Sequence, residues 1–134
     1  MVIQRAVAVL GTGRMGAAMA STIVRSGHPV TVWNRSQEKA QAVADRAGCA
    51  VAPTVREAVS DTEYIITSLA NDAAVRDVYL GEDGIAAAVG PGQIVIDTST
   101  IDPATVLEVG KALDAAGAIF LDCPVSGSVS VVEA

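Results

Sequence analysis

Residues 6–16 read Ala-Val-Ala-Val-Leu-Gly-Thr-Gly-Arg-Met-Gly, and this stretch decides the fold. Ala6 to Leu10 is an unbroken apolar run, the pattern of a strand buried on both faces. Glycines follow at positions 11, 13 and 16, and Met15, Met19 and Ile23 then recur at helical spacing. A buried strand, a glycine turn and an amphipathic helix, in that order, build a cradle for a diphosphate. Gly11 suits the tight turn, Gly13 lets the main chain approach a pyrophosphate with no Cβ in the way, and Gly16 lets the helix pack close. Free N–H groups and the positive end of the helix then face the phosphates. Arg14 adds a charge at the mouth. The loop's expected binding residues are therefore Gly11, Thr12, Gly13, Arg14, Met15 and Gly16, and the ligand is a dinucleotide.

The rest of the chain repeats the alternation of short apolar runs with amphipathic stretches. Strands are expected at 30–33, 49–52, 64–69, 94–96 and 118–121, with helices between them. Gly27, Gly48 and Gly117 stop three of the helices, and Pro91-Gly92 marks a turn. Thr54 with Glu57 reads as a capping box, Asn71 or Asp72 as a cap, and Asp102-Pro103 as a cap followed by proline at the first helical position. Six strands alternating with helices predict right-handed crossovers and a parallel, doubly wound α/β sheet in one domain.

The end of the second strand selects the dinucleotide. An acid about 20 residues beyond the glycines binds the ribose 2′-hydroxyl of NAD in many such sheets. Here the strand ends Trp33-Asn34-Arg35-Ser36. Asn34 has no charge to repel a 2′-phosphate, Arg35 can pair with one, and Ser36 can hydrogen-bond it. NADP is the expected cofactor, with NAD the alternative. Arg35 as a solvated charge and Ser36 as a helix cap are the competing readings. Trp33, the only tryptophan, is expected to pack in the core or at the adenine edge, and His28, the only histidine, falls in a turn at the amino end of the sheet.

Composition narrows the partners. The net charge is −6 and the nine Lys and Arg are scattered, so nucleic acid is not expected. Cys49 and Cys123 are far apart with no CxxC spacing, which points to two small buried hydrophobes and to no metal site. No apolar run is long enough for a membrane span, and the start leads directly into a strand without a signal-peptide pattern. A cytoplasmic location is expected. The end, Val129 to Ala134, carries no stop signal, so residues 1–134 read as a single NAD(P)-binding domain that is interrupted.

Four stretches carry a resemblance to a known family: VLGTGRMGAAMA (9–20), SGHPVTVWNRS (26–36), VIDTSTIDPAT (95–105) and GAIFLDCPVSGS (117–128). Together they resemble the β-hydroxyacid dehydrogenases, a family that includes 3-hydroxyisobutyrate dehydrogenase, tartronate semialdehyde (glyoxylate) reductase and 6-phosphogluconate dehydrogenase. The resemblance implies hydride transfer between NADP(H) and a small 3-hydroxy acid or semialdehyde acid. It implies that Leu69, Ala70 and Asn71 line the nicotinamide ribose and that Ser99 and Thr100 touch the nicotinamide end. It also implies that Ser126 and Gly127 hold the substrate carboxylate. The family's catalytic lysine lies beyond this loop, on a helix that this sequence lacks, and so does its helical second domain. Lys39 and Lys111, the only lysines, read as solvated surface charges. No catalytic residue is therefore expected here, and the isolated chain is expected to be inactive. A homo-oligomer is expected from apolar surface left near the C-terminus. The competing functions are the N-terminal domain of an imine reductase and a non-catalytic nucleotide-binding module.

Overall fold

A computed structural model describes residues 5–125 and residue 132. In chain order the elements are β1 (Val7–Leu10), α1 (Arg14–Arg25), β2 (Val30–Trp33), α2 (Gln37–Ala47), β3 (Ala50–Val51) and α3 (Val55–Val59). They continue with β4 (Tyr64–Thr67), α4 (Asp72–Leu80), α5 (Ile85–Ala88), β5 (Ile94–Asp97), α6 (Pro103–Ala115) and β6 (Ile119–Asp122). The six strands form one parallel sheet in the order β3-β2-β1-β4-β5-β6. The chain winds outward from β1 to β3, then crosses back to pair β4 with the other side of β1. The switch point between β1 and β4 is where open sheets of this type bind ligands, outside the carboxyl ends of the strands.

All four residues of β1 are buried, because the strand is covered on both faces. Val7 and Val9 join Val32, Ala40 and Val43 on the side of α1 and α2. Ala8 and Leu10 join Ile65, Tyr79, Ile85, Val109 and Leu113 on the other side. Burying one such side chain stabilises the fold by about 1.5–3 kcal/mol before chain entropy is counted. The continuous apolar reading of residues 6–10 follows from these two half-cores. Ala and Val dominate them, so helices lie close to the sheet.

Local chemistry ends the elements much as expected. Gly27, Gly48 and Gly117 have φ of +93°, +75° and +83°, the left-handed region that glycine tolerates best. Ser36, Thr54 and Asn71 cap α2, α3 and α4 through their side-chain oxygens. Four expectations need correction. The fourth strand stops at Thr67 rather than at residue 69, because the chain turns there into the loop before α4. Asp102 opens α6 without a side-chain cap; its own N–H is tied to Asp72 instead. Helix α5 is additional, and at four residues it is too short for a periodic signal. Cys49 is half-buried and Cys123 exposed, so the pair are not both core hydrophobes. The outer strand β6 also leaves Ile119 and Leu121 exposed. Among the described residues no helix is long and apolar enough to cross a membrane.

Candidate functional site

Two of the loop's three glycines, Gly11 and Gly16, sit in contacts that admit nothing larger. Gly11 sits at φ +98°, and its N–H donates to the Trp33 carbonyl at 2.8 Å. A Cβ on Gly11 would collide with the Ser68 carbonyl oxygen, and one on Gly16 with the Gly11 carbonyl oxygen. Gly16 thus packs the helix onto its own loop rather than onto the strand. Gly13 is different. Its φ of −69° suits any residue, and a Cβ there would meet nothing within 4 Å. Neither packing nor backbone conformation demands glycine at 13; open space in front of the loop is what its missing side chain leaves free. Ala17 is the first residue of α1 whose N–H finds a helical carbonyl, that of Gly13 at 2.8 Å. The N–H groups of Arg14, Met15 and Gly16 precede that ladder.

In front of the loop lies a cleft of about 840 Å³. Gly11, Gly13, Arg14 and Met15 form one wall, and Trp33, Asn34, Arg35 and Lys39 a second. The third runs from Ser68 through Leu69, Ala70 and Asn71 onto Ala73, Ala74, Asp77 and Val78 of α4. Strands β1, β2 and β4 bring these walls together because Leu10, Trp33 and Thr67 share one register row at the carboxyl edge. Most of the residues singled out from sequence meet here. Gly16 lies buried beneath the loop, and Thr12 is buried facing the groove between α1 and α2.

Asn34 braces the second wall. Its Oδ1 accepts the Thr12 N–H at 2.9 Å and its Nδ2 donates to the Ser36 carbonyl at 3.3 Å. Ser36 itself accepts from the Lys39 N–H and stays out of the cleft lining, so the cap reading applies to it. Lys39 is exposed, as expected of a surface charge, but its place in the fold adds to that reading. It stands in the first turn of α2, which begins at the carboxyl edge, and it lines the cleft beside Arg14 and Arg35. Lys111, by contrast, is exposed on α6 next to β6.

Ser99 and Thr100 do not line the cleft. Thr100 is exposed, and Ser99 is buried with its Oγ accepting the Leu69 N–H at 2.8 Å. Ser99 therefore fixes the third wall from behind. Its own N–H donates to Asp97 Oδ1 at 3.1 Å, and Thr67 Oγ1 donates to the same oxygen at 2.9 Å. Thr67 Oγ1 also lies 2.6 Å from the Tyr79 hydroxyl, which is left to donate to it. Burial, and then the Asp97 charge, push the Tyr79 hydroxyl well above its ordinary range. A second tie joins the same two loops. Asp72 Oδ2 accepts the Asp102 N–H at 3.0 Å and the Thr105 hydroxyl at 2.6 Å. These bonds, the Thr105 one foremost, hold the Asp72 carboxyl below its usual value. Ser126 and Gly127 lie outside the described residues.

Sequence reasoning missed Lys39, Ser68 and the α4 residues Ala73, Ala74, Asp77 and Val78. The spacing 70-73/74-77/78 on one helical face is the signal that marks the latter. The cleft can take an elongated polyanion whose phosphates meet free N–H groups and three cations, with an apolar compartment beyond.

Comparison with known proteins accords with this geometry. Residues 6–134 match the family described as the NAD binding domain of 6-phosphogluconate dehydrogenase. The chain is 35% identical over 130 residues to a probable mitochondrial 3-hydroxyisobutyrate dehydrogenase of Dictyostelium discoideum, covering 97% of this chain and 40% of that protein. It is 37% identical over 119 residues to the cytokine-like nuclear factor N-PAC of Xenopus tropicalis, covering 89% and 22%. Among solved structures, Psf3 in complex with NADP+ and 2-OPP superposes with a TM-score of 0.86 at 38% identity, over 92% of this chain and 44% of that one. The chain thus spans less than half the length of each of these relatives.

Proposed function

The chain belongs to the family of NAD-binding domains described for 6-phosphogluconate dehydrogenase, and from that premise we propose that it holds NADP(H) for hydride transfer to and from a small 3-hydroxy acid. The observation that carries this reading is the convergence of Arg14, Arg35 and Lys39 on one cleft floored by the glycine loop. The glycine-loop N–H groups take the diphosphate. Arg35 and Lys39 take the 2′-phosphate, and Asn34 presents no competing negative charge. Leu69, Ala70 and Asn71 flank the nicotinamide ribose, positioned from behind by Ser99. Ser126 and Gly127 hold the substrate carboxylate in this reading.

The nicotinamide supplies the hydride chemistry when bound, and the protein's share is orientation. Reduction of a carbonyl also needs a proton at the developing alkoxide. Neither lysine of the sequence is placed for it: Lys39 belongs to the phosphate end of the cleft and Lys111 to the far side of α6. These 134 residues are expected to bind NADP(H) and not to turn over.

Calorimetric titration with NADPH and NADH tests the reading. NADPH should bind about tenfold or more tightly than NADH, as hydrogen bonds to charged groups predict. Arg35→Ala and Lys39→Ala should each narrow that ratio. Equal binding of the two nucleotides removes the NADP assignment, and rapid NADPH consumption with a semialdehyde acid removes the claim of inactivity.

A further inference from the structure

The cleft is electrically polarised along its length. At one end it meets a groove of about 570 Å³ between α1 and α2, where the charged side chains are Arg14, Lys39 and Arg46. At the other it passes Trp33 and Val78 into a cavity of about 350 Å³, where the charged side chains are Asp77, Glu82 and Asp83. Among the described residues Asp77 is the one carboxylate that lines both the main cleft and this acidic cavity. Among the described residues it enters neither of the two salt bridges; the neighbouring Arg76 is paired with Glu108. An unpaired carboxylate therefore stands beside an apolar wall, at the opposite end from Arg14 and Lys39.

This polarity orients a nucleotide. Its phosphates belong with Arg14, Arg35 and Lys39, which leaves the base against Trp33, Val78 and Asp77. An ionised carboxylate only accepts hydrogen bonds. Adenine offers a donor at its edge, the exocyclic amine. Hypoxanthine carries a carbonyl oxygen at the same position and moves its donor to N1, so a carboxylate aligned on the 6-substituent would face an acceptor. We propose that Asp77 is a specificity-determining residue that reads the base, accepting from the adenine amine and disfavouring a 6-oxo purine. The inference rests on the NADP(H) reading above and deepens it.

The test compares NADPH with its hypoxanthine analogue, deamino-NADPH, on the 134-residue chain and on Asp77→Asn. Trp33, the only tryptophan, lines the cleft and reports occupancy by its fluorescence. The native chain should prefer NADPH by about tenfold, the size expected of one bond to a charged group. Asp77→Asn should bring the two nucleotides within about twofold, since an amide both accepts and donates. A native chain that binds both equally, or a preference that survives Asp77→Asn unchanged, overturns the base-reading role while leaving the coenzyme assignment intact. Failure of both nucleotides to bind overturns the coenzyme assignment and the base-reading role together.

Discussion

Oδ1 of Asn34, just past the end of β2, accepts the main-chain N–H of Thr12 in the glycine loop at 2.9 Å. One neutral side chain thereby locks the glycine loop to the strand end beside Arg35 and Lys39. Asp at this position would keep an acceptor for Thr12. Its second oxygen would face the Ser36 carbonyl, where Asn34 now donates, and its charge would oppose a 2′-phosphate.

Asn34→Asp is therefore expected to leave the fold in place and invert the coenzyme preference. NADPH affinity should fall about tenfold or more, from like charges a few Å apart near a surface, while NADH affinity holds or rises. Parallel titrations with the two nucleotides decide it; an equal loss for both would assign Asn34 a purely structural part.

The glycines at 13 and 16 separate binding from stability. Gly13→Ala adds a methyl group in a permitted conformation with open space before it. Urea unfolding should show it neutral or up to about 1 kcal/mol more stable, yet nucleotide affinity should drop because the methyl stands where the diphosphate must approach. Gly16→Ala drives a methyl into the Gly11 carbonyl. It should destabilise by about 1–3 kcal/mol, the range for overpacking. Gly13→Ala binding NADPH as tightly as the native chain would contradict the placement of the phosphates.

Asp72 makes the tie between the loops before α4 and α6 pH-sensitive. Its carboxyl is held below the ordinary 3.8, chiefly by the Thr105 hydroxyl and then by the Asp102 N–H. Between the depressed folded value and 3.8, the unfolded chain binds more protons than the folded one, so stability rises with pH there. The contribution is complete above 3.8 and disappears as pH falls through the folded value. Urea midpoints measured from roughly pH 6 down to 2 should fall less steeply for Asp72→Asn than for the native chain. Superimposable acid limbs would show that the carboxylate charge contributes nothing to this tie.

Much of the site was legible because local rules write it into the chain. The run at 6–10, the glycines at 11, 13 and 16, and the Asn34-Arg35 pair mark a strand, a turn and a strand end by composition alone. Right-handed crossovers then put them all at one edge. Residues assigned by resemblance are placed less uniformly. Leu69, Ala70 and Asn71 do line the cleft, whereas Ser99 is turned inward to hold Leu69 and Thr100 faces solvent. Periodicity says which face of a helix is apolar but not what stands opposite its polar face. For that reason Lys39 reads as a solvated charge and Asp77 is not singled out.

The sequence by itself determined the parallel α/β sheet, the glycine loop and the absence of an acid at the end of β2. Those features depend on neighbours within a few residues and on the handedness of L-amino-acid chains. Only the tertiary structure decided which charges share the cleft and that Asp97, Ser99 and Asp72 join segments some 30 residues apart. Side chains distant in sequence are brought within hydrogen-bonding reach by sheet register and helix packing, and no local pattern encodes those distances.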